Sequence, residues 1–179
     1  MGEEYGEDAP FLYFVSHSDP DLVQAVRQGR KKEFSAFEWQ GDPPDPQSEE
    51  TFERSRPDWQ KRSAGRQHTL LQLYTRLLRL RAELPGLSFV DSLQTTRHEH
   101  KNSLIVLRRQ ANSEILSLFC FEQKSEVSLE LPVGRWEKLL DTADDNWMGP
   151  GSNVPYTPGG GGKINIPPLS YILLRKLAE

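Results

Sequence analysis

The strongest periodic signal in the chain runs from Ser63 to Leu84. There Leu70, Leu73, Tyr74, Leu77, Leu78, Leu80 and Leu84 fall on one wide helical face, while Arg76, Arg79 and Arg81 take much of the polar one. Pro85-Gly86 stops this helix, and a stripe so wide asks for two packing neighbours. Upstream, Asp19-Pro20 supplies an N-cap acceptor and a proline at the first helical position, which predicts a helix from Asp19 to Phe34 with Leu22, Val23 and Val26 on one face. Arg27, Arg30, Lys31 and Lys32 suit the negative end of its dipole, and Gly29 weakens it. Three prolines between Gly41 and Gln47 exclude a regular element there. Ser48 is placed to cap a short helix through Ser55, ended by Pro57, with Phe52 and Trp59 as its anchors.

After Gly86 the period changes from helical to two. Short apolar runs separated by Gly, Pro, Asn and Asp predict a small antiparallel sandwich or barrel. Val127 to Leu131 alternates strictly and reads as a half-exposed strand, whereas Ser103 to Leu107 and Ile115 to Phe121 are apolar on both faces and read as central. Pro132 to Gly134 turns into a strand at Arg135 to Leu140, Asp141 to Gly162 is a long loop, and Ser170 to Leu174 closes the sheet. The expected fold class is α+β, divided into a helical part over residues 1–85 and an all-β domain over 86–179.

Composition narrows the function. The 179 residues are too few for a complete TIM barrel, which takes about 250. With 22 Lys and Arg against 26 Asp and Glu, the net charge of -4 argues against a nucleic-acid partner, which needs a basic footprint. The lone Cys120 lies in an apolar run, which excludes a disulfide framework and a cysteine metal cluster and leaves no activated thiol. The acidic start Met1-Gly2-Glu3-Glu4 is unlike a secretory signal, and no apolar run reaches the roughly eighteen residues of a membrane span. The expectation is a soluble, cytoplasmic protein.

Candidate chemistry gathers at the N-terminus, where an acidic, glycine-containing loop runs into the aromatic cluster Phe11-Leu12-Tyr13-Phe14. Glu3, Glu4, Glu7 and Asp8 are carboxylates that can serve acid-base work or hydrogen-bond backbone. Alternation puts Phe11 and Tyr13 on one side and Leu12 and Phe14 on the other, so one pair can present its ring faces while the other packs. His98-Glu99-His100 places two histidines on one face of a strand, but two ligands are not a metal site, and solvated edge residues account for them. Trp39, Trp59, Trp136 and Trp147 are scattered and read mainly as packing anchors.

Three stretches together resemble the malto-oligosyltrehalose trehalohydrolases, glycosidases of the alpha-amylase superfamily. Met1-Gly2-Glu3-Glu4-Tyr5-Gly6-Glu7 with Pro10 to Phe14 resembles the loop after the last barrel strand. More distinctive is Asp19 to Val23 leading to Val26 to Phe34, then Asp45-Pro46-Gln47, Thr51 to Ser55 and Asp58-Trp59. The Leu-rich helix and the closing strand after Pro167-Pro168 are less specific. The resemblance implies the last helical part of a TIM barrel followed by an antiparallel β-sandwich domain. It also implies hydrolysis, with retention, of the alpha-1,4 bond that joins a terminal trehalose to a malto-oligosaccharide.

The resemblance begins inside a barrel loop, so Met1 is expected to be an internal methionine of the motif. The family's three catalytic carboxylates belong to earlier strands, which leaves no catalytic residue, metal or cofactor to expect here. Glu3, Glu4, Tyr5, Phe11 and Tyr13 become the candidate substrate contacts, because loops at the C-terminal ends of barrel strands build such sites. The expected partner is a malto-oligosaccharide or a trehalose-capped oligosaccharide. The Leu70 to Leu84 face, without barrel strands to cover it, is expected to drive self-association. Rival readings are a fragment of a glycogen branching enzyme and a free-standing carbohydrate-binding or interaction module.

Overall fold

A computed structural model describes residues 1–36, 41, 43–88, 91–98 and 101–178. Among the described residues three α-helices precede seven antiparallel strands, an α+β arrangement. The chain divides into two compact units, Met1–His68 and Thr69–Glu179, with the division inside the third helix. The change of sequence period near Gly86 therefore comes later in the chain than the division between compact units.

The first unit holds α1 (Pro20–Ala36), α2 (Glu49–Arg54) and the start of α3 (Gly65–Glu83). Asp19 caps α1: its Oδ1 accepts from the amides of Asp21 at 2.9 Å and Leu22 at 3.3 Å. Ser48 occupies the N-cap of α2, but its side chain makes no capping bond. The expected anchors Phe52 and Trp59 are exposed, at 43% and 55%. The residues α2 turns inward are instead Thr51 and Ser55, whose hydroxyls donate to the carbonyls of Asp45 at 2.7 Å and Thr51 at 2.8 Å. A polar inner face satisfied by backbone is what a hydrophobicity count cannot register.

The second unit builds on α3 from Thr69 onward. A five-stranded sheet runs in the order β1 (Ser92–His98), β2 (Ser103–Gln110), β3 (Ser113–Cys120), β7 (Ser170–Lys176), β5 (Trp136–Asp141). A smaller sheet pairs β4 (Val127–Glu130) with β6 (Lys163–Ile166). Leu116, Leu118, Ile105, Leu107, Ile172 and Leu174 face the inner side of the large sheet and meet Val127, Leu129, Ile164 and Ile166 of the small one around Trp136, which is fully buried. Alternation sends Ile115 and Leu173 to the opposite face, where with Leu140 they pack on Leu80 of α3 and on Leu84 just after it.

β7 was expected to close the sheet but lies between β3 and β5. Its core Ile172-Leu173-Leu174 is buried on both faces, so it needs neighbours on both sides. β1 carries no apolar alternation that would announce it, and residues 91–97 are exposed along this edge. The long loop after β5 is pinned by Lys138, whose ammonium donates to Asp144 Oδ1 at 3.2 Å and the Val154 carbonyl at 3.0 Å and lies 3.5 Å from Asp141 Oδ2. Along α3 and the residue after it the stripe divides: Leu80 and Leu84 are buried, Leu73 and Leu77 are partly buried, and Leu78 is 64% exposed. No helix among the described residues is long and apolar enough to cross a membrane.

Candidate functional site

The N-terminal loop folds around two glycines. Glu3–Tyr5 forms a single 3-10 turn bounded by Gly2 and Gly6, both left-handed at φ 78° and 68°. Gly2 is doubly required, because a Cβ there would also come within 2.6 Å of the Glu7 Cβ and 2.7 Å of the Tyr5 hydroxyl. The Gly2 carbonyl accepts from the amides of Tyr5 at 3.3 Å and Glu7 at 3.0 Å, closing the loop on itself.

Glu7 is the hub of this loop, with a side chain only 1% exposed. Its Oε1 accepts from the amides of Asp8 at 2.8 Å and Ala9 at 3.0 Å and from Lys61 Nζ at 2.9 Å. Its Oε2 accepts from the Tyr5 hydroxyl at 3.1 Å and the Asp58 amide at 2.6 Å. The Lys61 hydrogen bond, followed by those from backbone amides, outweighs burial and holds the carboxyl down at about 2. A carboxylate so saturated with donors stays ionised at neutral pH and cannot act as a general acid. Burial first, then the neighbouring Glu7 carboxylate, raises the Tyr5 phenol above its ordinary value.

The aromatic segment follows outside any helix or strand. Phe11 is 77% and Tyr13 47% exposed, while Leu12 and Phe14 are half-buried, so the alternation read from sequence places the two pairs as expected. The Arg30 guanidinium lies 5.0 Å from the Tyr13 ring centre and 4.7 Å from that of Phe34. Phe14 meets Phe52 edge to face at 5.2 Å.

A pocket of about 550 Å³ opens beside this aromatic pair, lined also by Val15, Ser16, Gln47, Ser48 and Glu49. One wall is held by Gln47, whose amide accepts from the His17 N–H at 3.2 Å and donates to the His17 carbonyl at 2.8 Å. A second cleft of about 290 Å³ lies where Arg27, Arg30 and Lys31 face Pro43 to Pro46. Arg27 is committed there to Asp45, at 2.9 Å from Nε to Oδ1 and 2.8 Å from Nη2 to Oδ2, and the pair holds the Asp45 carboxyl below its usual range.

Of the residues singled out from sequence, Glu3, Glu4 and Tyr5 share one turn, and Phe11 and Tyr13 share one side of the segment that follows. Glu3 is exposed and Glu4 half-buried. Tyr5 is fully buried, which leaves no ring face for a sugar and makes it a support of the turn. The residues with most bonds in the loop, Glu7 and its partner Lys61, stand 54 positions apart. The one local hint was a carboxylate directly after a glycine that takes the left-handed conformation. Glu99, His100 and Trp39 lie outside the described residues. Among the described residues no group of three or more His, Cys, Asp or Glu is placed to hold a metal ion.

With this geometry in place, comparison with known proteins gives a consistent result. Over 99% of its length the chain superposes, with a TM-score of 0.72 and 28% identity, on 27% of a putative alpha amylase from Salmonella typhimurium, so its fold is that of the C-terminal portion of an alpha-amylase-family enzyme. No family model matches the chain.

In sequence it is 37% identical over 98% of its length to a malto-oligosyltrehalose trehalohydrolase of Brevibacterium helvolum, of which it spans 27%. It is 47% identical to relatives of the same name from Rhizobium sp. over 51% of the chain and 16% of that protein, and from Deinococcus radiodurans over 49% and 15%. The chain is homologous to the C-terminal portion of the malto-oligosyltrehalose trehalohydrolases and spans about a quarter of the length of the longest match.

Proposed function

We propose that the chain is the C-terminal portion of a retaining glycoside hydrolase that releases trehalose from maltooligosyl trehalose by cleaving the adjacent alpha-1,4 bond, a step of trehalose biosynthesis in the cytoplasm. The observation that carries this reading is the near-complete match of the chain to a quarter of a trehalohydrolase in sequence. On this reading residues 1–85 are the last loop and helices of the barrel, and residues 86–179 are the β domain that follows it in sequence. Glu3 and Glu4 offer carboxylates to sugar hydroxyls at the rim, Phe11 and Tyr13 offer ring faces, and Tyr5 supports the turn from below. Glu7 is committed to five donors and has no part in bond cleavage.

The reading is tested by titrating the purified chain calorimetrically with maltoheptaose and with trehalose while assaying the same mixtures for hydrolysis. Binding without turnover is expected. Release of trehalose by the chain alone would show a catalytic apparatus that this reading does not contain, and absence of binding would remove the rim role.

A further inference from the structure

Resting on that reading, we propose that Glu7 is a positioning residue for sugar binding: its carboxylate locks the Glu3–Tyr5 turn to the distant Asp58–Lys61 segment and so fixes where Glu3 and Glu4 are presented.

The argument is one of connectivity. A single turn of three residues has almost no stability of its own, since nucleating helical backbone costs more than one hydrogen bond returns. Two left-handed glycines bound it, and glycine loses more conformational freedom on ordering than any other residue. The turn therefore holds its shape only if something outside it supplies the constraint. Glu7 does so in three directions. Inward, Oε2 takes the Tyr5 hydroxyl at the end of the turn, and the Glu7 Cβ closes against Gly2 at its start. Forward, Oε1 takes the amides of Asp8 and Ala9 and fixes the exit of the chain toward the aromatic segment. Across 51 and 54 positions of sequence, the same two oxygens take the Asp58 amide and the Lys61 ammonium.

The far anchor is itself ordered. Asp58 caps the turn Trp59–Ser63 through its Oδ1 to the Gln60 amide at 3.0 Å, and Trp59 lies 6.2 Å from Tyr5, ring centre to ring centre. Lys61 also reaches Asp8 Oδ2 at 3.3 Å. Preorganisation of this kind reduces the ordering that a ligand must otherwise impose when it binds.

The test uses the full chain, with maltoheptaose as probe in calorimetry and amide hydrogen exchange recorded at Asp58, Asp8 and Ala9. Glu7→Ala is expected to weaken maltoheptaose binding by about tenfold or more, to speed exchange at all three amides, and to leave the β domain's exchange unchanged. Glu7→Gln, which keeps the shape and one acceptor, is expected to recover part of the affinity. Lys61→Met, which leaves the four other bonds to Glu7 in place, is expected to fall between Glu7→Gln and the wild type. If Glu7→Ala opens the three amides yet binds maltoheptaose with unchanged affinity, Glu7 is structural only and the proposal is overturned. Should Glu7→Ala fail to fold, equal affinity among Glu7→Gln, Lys61→Met and wild type overturns it in the same way. A wild-type chain that binds no sugar sinks the rim reading itself, and the inference with it, which sets that failure apart from the first.

Discussion

The two compact units are held together by different physics. Thr69–Glu179 encloses a continuous apolar core with Trp136, Leu116, Leu118, Ile172 and Leu174 at or near zero exposure. Among its described residues Met1–His68 has one fully buried large apolar residue, Tyr5, and leaves Phe11, Tyr13, Phe52 and Trp59 exposed. What orders this unit is a set of polar links over long stretches of sequence: Glu7 to Asp58 and Lys61, Arg27 to Asp45, and Gln47 to His17. Burial is non-directional and tolerant, whereas a hydrogen-bonded charge is specific and fails when one partner is removed. The β domain is thereby suited to be scaffold, and the N-terminal unit to hold particular side chains in particular places.

The comparison breaks most visibly at the core. Trp136→Ala removes the largest fully buried side chain and its indole hydrogen bond to the Pro132 carbonyl, 3.0 Å long. It should cost the β domain about 3–5 kcal/mol in denaturant unfolding. If the units are as distinct as their cores, exchange at Asp8, Ala9 and Asp58 stays at its wild-type rate. Leu80→Ala, on the other face of the sheet, should cost toward the lower end of about 2–5 kcal/mol, because several side chains packed there are only partly buried and can settle inward. An equal or larger loss than at Trp136 would mean that α3 is as central to the domain as the sandwich interior.

This contrast also decides what could be read from sequence. The β domain's central strands, β2 and β3, and the long helix were legible because burial leaves a periodic imprint on each residue in turn. β1 was not, since an exposed edge strand such as Ser92–His98 needs no apolar face. α2 was placed correctly but with the wrong inner face, since Thr51 and Ser55 are buried through hydrogen bonds. At the candidate site the separation of Phe11 and Tyr13 from Leu12 and Phe14 followed from alternation, but not which pair is exposed. Glu7 did not stand out from Glu3, Glu4 and Asp8, because its distinguishing partners lie more than 50 positions away and no local pattern encodes them.

A smaller effect concerns acid. Glu7 is held at about 2, against an ordinary value of 4.5, by Lys61 and the backbone amides. A carboxyl lowered on folding stabilises fully above its unfolded value and loses that contribution as pH falls through the folded one. The Asp8, Ala9 and Asp58 amides should therefore keep their protection from neutral pH down to about 4.5 and lose it progressively toward pH 2. In Glu7→Gln the same amides should show a flatter acid profile with lower protection throughout. An unchanged acid profile in that variant would assign the transition to another group, with Asp45 and its Arg27 partner the next to examine.

The smallest expected change in stability lies on α3, where the comparison turns from interior to surface. Leu78 is 64% exposed on the same helix whose Leu80 is buried, so part of the apolar stripe from Leu70 to Leu84 remains open to water. We propose that a second copy of the chain covers it, since association would bury the apolar area that Leu78 leaves open to water. Leu78→Glu should leave unfolding within about 0.5 kcal/mol of wild type, as substitutions at exposed positions usually do. In light scattering it should lower the apparent mass of a self-associating sample. A wild-type chain that is monomeric at every concentration tested would refute the association, and a variant that loses stability as well as mass would show that Leu78 packs within its own unit.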